Sequence, residues 1–152
     1  MNAAQTTQIR MEDQRTTFSR DGAPDLVVAA GARGIAQRLF RHDPPTPGEI
    51  EHAIDTVEDA LAATGLRHAA RGDLLARDPR LHALLGLQAA GERATRDEVE
   101  ERFQRLALTA LSQPGLAAGL QPGTLAAAEL LILRECMHHL GFEGVVHAPP
   151  AP

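Results

Sequence analysis

The stretch from Thr124 to Leu140 carries Leu125, Ala126, Leu130, Leu131, Ile132, Leu133, Cys136, Met137 and Leu140, enough apolar side chains to cover most of the circumference of a helix. Such a helix has little face to offer water, so it belongs in the middle of a bundle or in an interface between chains. Gly141 follows it and can end it in the left-handed conformation. The rest of the 152-residue chain must largely serve to cover this element.

Three further helices have marked starts. Thr46 with Glu49 forms a capping box, Pro47 occupies the first helical position, and Ile50, Ala53, Ile54, Val57, Ala60 and Leu61 keep the 3.6-residue period up to Gly65. Asp78-Pro79 opens a second pattern through Leu81, Leu84 and Leu85, ending by Gly91. A second capping box, Thr95 with Glu98, opens a third, with Val99, Phe103, Leu106 and Ala110 inward and Leu108 on the opposite side. Residues 66–72 read as a short helix, and the repeated Gln-Pro-Gly at 113–115 and 121–123 reads as a linker. Residues 26–30 and 144–148 are short apolar runs able to pair as strands.

These signals predict a mainly α fold: a compact bundle of about five helices, with room for a short two-stranded β-ribbon. Residues 1–24, polar apart from Ile9, Met11 and Phe18, are expected to be a flexible tail. Residues 25–148 are expected to form a single helical domain, and 149–152 a Pro-rich end.

The chain has no lysine, tryptophan or tyrosine; its fifteen basic residues are all arginine. This removes a Walker-type phosphate loop, Schiff-base chemistry and most aromatic stacking platforms for single-stranded nucleic acid. A net charge of −5 disfavours nucleic acid as a partner. No apolar run approaches the ~20 residues of a membrane span, and no N-terminal stretch has the charged start and apolar core of a secretion signal. With Cys136 as the single cysteine, the expected compartment is the cytoplasm.

Candidate chemistry is sparse. Gly31 and Gly34 lie between a strand-like run and a helix, where backbone N–H groups can meet an anion. Glu49/His52 and Glu135/His138 have the Glu-x-x-His spacing of di-iron bundles, but their helical phase places them on polar faces. Asp55-x-x-Glu58 and Glu98-x-x-Glu101 have a spacing similar to that of all-α Mg-dependent nucleotide pyrophosphohydrolases, a likeness limited to those four residues. On the last helix Glu129, Cys136 and His139 fall within roughly 80° of one another on the apolar stripe. A carboxylate there needs a partner: an arginine such as Arg38 or Arg102, or a metal held jointly with Cys136 and His139. With an arginine as partner, Glu129→Gln is expected to cost on the order of 3 kcal/mol by stranding a buried cation.

Composition and pattern together lead to the expectation of a non-enzymatic interaction or regulatory module without a cofactor. Its expected partners are itself, as a homo-oligomer and most simply a dimer, or another protein. The alternative is a small metal-dependent hydrolase or metal-responsive protein, with a divalent metal at Glu129, Cys136 and His139.

Overall fold

The computed structural model describes residues 6–110 and 123–150. Along the chain run β1 (Thr7–Met11), β2 (Thr16–Ser19), β3 (Leu26–Val28), α1 (Ala32–Leu39), α2 (Pro47–Ala62), β4 (Gly72–Ala76), α3 (Pro79–Leu85), β5 (Arg93–Thr95), α4 (Arg96–Thr109), α5 (Thr124–Leu140) and β6 (Phe142–His147). The strands form one mixed sheet in the order β3-β2-β1-β4-β6-β5. β1, β4 and β6 are parallel, whereas β2, β3 and β5 join through antiparallel pairings. The predicted helical bundle is therefore corrected to an α/β architecture.

The correction has a local cause. In β1 the buried side chains are Thr7 and Ile9, alternating with Gln8 and Arg10, and in β2 Thr16, Thr17 and Phe18 are all buried. Threonine is polar in composition yet favours strands, so a period-2 signal written partly in threonine reads as a polar tail. Thr16 is fully buried, and its hydroxyl donates to the Ala30 carbonyl at 2.8 Å. Residues 7–19, assigned to the tail, are thus two strands of the sheet. Residues 66–71, read as a short helix, form no helix and lead into β4 at 72–76, and the runs near 26–30 and 144–148 do not pair with each other. β3 joins β2, and β6 lies between β4 and β5. The repeated Gln-Pro-Gly segment lies almost entirely outside the described residues.

The helix starts match the structure. Thr46 and Glu49 make both halves of the capping box, as do Thr95 and Glu98; Asp78 caps α3, and Gly141 takes the left-handed conformation. Thr46→Ala is expected to lower stability by about 1 kcal/mol without altering the fold; an unchanged urea midpoint would contradict this cap. The Glu49 carboxylate accepts from the Thr46 and Arg41 N–H groups and meets the His42 ring, and these bonds, Thr46 first, hold its pKa at about 2. The sign follows from that depression: the contribution is present above the ordinary carboxylate value of 4.5 and is lost as pH falls through about 2. The start of α2 should therefore lose amide-exchange protection across that window.

α5 is central. It touches α1, α2, α3, α4 and β6, and Leu131, Ile132, Leu133 and Met137 are wholly inaccessible. Its apolar circumference is covered inside the chain, so that feature needs no second protomer. The large apolar residues left exposed among those described are Val27, Leu66 and Leu108, Leu108 being 40% accessible. No described helix is long and apolar enough to cross a membrane.

Candidate functional site

Chain direction assembles one edge of the sheet. β1, β4 and β6 all end there, β3 points the same way, and α1 and α3 start directly after β3 and β4. α5 ends where β6 begins, so its first turn also reaches this edge. In open α/β sheets this carboxyl edge is where ligands bind. The N-termini of α1 and α5 have no side-chain cap, so positive dipole ends face the edge.

The β1–β2 turn and α1 pack tightly. The Gly34 N–H donates to the Asp13 carbonyl at 2.9 Å, and a β-carbon on Gly31 would collide with the backbone of Asp13 and Gln14. The two glycines let the hairpin lie on the helix start, and the Gly34 N–H is already engaged. After β4, the Asp78 carboxylate accepts from the Arg80 N–H at 2.8 Å, and Arg77 donates to the Pro149 carbonyl at 2.6 Å. Arg80 reaches Glu129 of α5 through Nη2 at 2.8 Å and Nε at 3.4 Å. Close by, the His82 and His147 rings stack with centroids 3.5 Å apart, and His82 Nε2 lies 2.6 Å from the Ala76 carbonyl.

A second constellation lies at the opposite edge. His139 is in the last turn of α5 and Glu58 in the last turns of α2, the ends that lead into β6 and β4. His139 Nε2 is 3.1 Å from Glu135 Oε2 and 3.3 Å from Glu58 Oε1. Glu135 is completely buried, whereas the side chains of Glu58 and His139 are 43% and 39% exposed. The other oxygen of Glu135 accepts from Arg134, which also donates to Glu100 of α4 and lies over the Phe103 ring. Arg134 holds the Glu100 carboxyl below its ordinary pKa.

The sequence-derived trio is thereby divided. Glu129 is 5% exposed and bonded to Arg80, rather than to Arg38 or Arg102. Cys136 is wholly buried, and desolvation pushes its thiol pKa well above the ordinary range, leaving a protonated packing group. His139 meets Glu135 and Glu58; among the described residues these three bring metal-ligating atoms within 4.8 Å of one another. Sequence reasoning assigned Glu135 to a polar face because Arg134 and His138 flank it. Its available signal was the i,i+4 relation to His139, which places both on one face of the helix. Of the other pairs, Glu49 serves the capping box and meets His42, His52 is exposed, and Glu98 caps α4.

The fold recurs among solved structures. A Ppx/GppA phosphatase from Aquifex aeolicus, a type II variant, superposes with a TM-score of 0.73 at 11% identity over 97% of this chain and 54% of its own. An exopolyphosphatase from Cytophaga hutchinsonii gives 0.68 at 10% identity over 98% of this chain and 54% of its own. The chain spans about half the length of the structures it matches. No family model matches the sequence, and no curated protein does. At these identities the likeness concerns the fold. The expected non-enzymatic helical module is corrected here, because it rested on an all-α bundle and the observed architecture is one that phosphatases use.

Proposed function

We propose that this chain is a phosphatase-type hydrolase acting on phosphate esters or anhydrides with the help of a divalent cation. The observation that carries the reading is the convergence of the parallel strand ends with the starts of α1 and α5, neither of which has a side-chain cap, at one edge. Helix N-termini stabilise phosphoryl oxygens through their N–H groups and dipoles. Arg77 adds a cation and Asp78 a carboxylate beside the same edge. The phosphatases and exopolyphosphatases that share the fold support this class of reaction over others. Among the described residues the donor set that could hold a cation, Glu58, Glu135 and His139, lies at the opposite edge and is not part of this site.

The test uses the full chain with p-nitrophenyl phosphate and with inorganic polyphosphate, each with Mg2+, Mn2+ or Zn2+. Phosphate release above the protein-free rate is expected, falling on the order of a hundred-fold in Arg77→Ala. No release with any cation, or an Arg77→Ala protein as active as the parent, would overturn the proposal.

A further inference from the structure

We propose that Glu58, Glu135 and His139 bind one borderline transition-metal ion, Zn2+ in preference to Mg2+, which staples α2 to α5 at the sheet edge away from the proposed reaction site. The site stands on its own geometry and does not depend on hydrolase activity.

Three observations carry it. First, the donors are close enough to share one small cation: all three lie within 4.8 Å of one another, and His139 Nε2 lies 3.1 and 3.3 Å from its two carboxylate oxygens, near the separation of about 3.3–3.6 Å between neighbouring donors of a tetrahedral site. Second, one imidazole N–H serves two carboxylates poorly, and one of these, Glu135, is wholly buried. A cation replacing that proton bonds the lone pair of Nε2 and neutralises both acids. Third, the buried ligand is already oriented: Arg134 holds the other oxygen of Glu135 and is itself anchored by Glu100. Metal-ligating carboxylates characteristically have such a hydrogen-bonded support.

The donor chemistry selects the ion. Imidazole suits zinc and its neighbours, whereas Mg2+ demands nearly ideal octahedral oxygen coordination and dehydrates reluctantly. Three protein donors leave a position for water, and the exposure of Glu58 and His139 provides entry from solvent. Both helix ends lead into parallel strands, α2 towards β4 and α5 into β6. Occupancy would therefore stiffen the edge opposite the starts of α1 and α5.

The test is titration of untagged, metal-free full chain by calorimetry, together with thermal unfolding. Zn2+ is expected to bind at one ion per chain, and at about 100 times its Kd to raise Tm by about 5–10 °C. Mg2+ should bind at least about a hundred-fold more weakly. Glu58→Gln and His139→Ala alter half-exposed side chains, so they should fold normally, and each should weaken Zn2+ binding on the order of a hundred-fold or more. Absence of Zn2+ binding overturns the site. Unchanged binding in both variants overturns its location, and equal Mg2+ and Zn2+ affinities overturn the choice of metal. Because binding is read without a substrate, an inactive protein that binds Zn2+ would refute the hydrolase reading alone.

Discussion

Gly141→Ala is expected to destabilise the protein by at least about 3 kcal/mol, the combined effect of left-handed strain and an irreparable backbone contact. Gly141 has φ +89°, and a β-carbon there would run into the carbonyl of Ala69. Neither group can yield cheaply. The Ala69 N–H bonds the Leu140 carbonyl, and the Arg71 N–H bonds that of Gly141 at 3.1 Å. These contacts bring the approach to β4 alongside the junction between α5 and β6. Shifting them would disturb the β4–β6 register and the burial of Phe142, whose ring stacks on Phe18. Gly48→Ala is the control: it lies in the first turn of α2, and its β-carbon would meet open space. That change should be neutral or mildly stabilising. Urea midpoints separate the two, and a Gly141→Ala midpoint equal to that of the parent would show that the junction is not so confined.

The second large effect is an asymmetry within one ion pair. Glu129 is the buried member, with a side chain 7% exposed, whereas the side chain of Arg80 is 56% exposed. Arg80→Ala leaves a carboxylate inside the helical layer with no cation, and should cost about 3 kcal/mol. Glu129→Gln leaves an arginine that can turn to water, and should cost only about 1 kcal/mol. The sequence-based expectation of about 3 kcal/mol for Glu129→Gln assumed that the partner would be as buried as the acid. Denaturation of the two single variants distinguishes these cases. If Glu129→Gln proves the more damaging, Arg80 is not the exposed member of the pair.

Local chemistry made part of this molecule legible. Thr46, Glu49, Asp78, Thr95, Glu98 and Gly141 act within a few residues of themselves, so helix ends could be placed from spacing alone. That α5 must be enclosed was readable too, since a helix apolar on nearly every side has no face for water; whether this chain or a second copy encloses it was not. The sheet was not, because strands of three to six residues carry little periodic signal and β1 and β2 use threonine for burial.

The candidate sites lie on the far side of the same divide. That Glu129 needed a partner followed from an acid set among alanines and leucines; that the partner is Arg80, 49 positions away, followed only from α3 crossing α5. Glu135 and His139 share a helix face by spacing, yet Glu58, 81 positions before His139, joins them because α2 packs beside α5. The carboxyl edge likewise exists only once β1, β4 and β6 run parallel. Sequence alone determined where α2, α3 and α4 begin, where α5 ends and that α5 must be enclosed, because capping and amphipathic burial are short-range; it placed the end of α3 at Gly91, whereas Gly86 ends it. Tertiary structure decided the sheet, the ion pair and the cluster, because each depends on contacts between distant segments that leave no periodic trace in either.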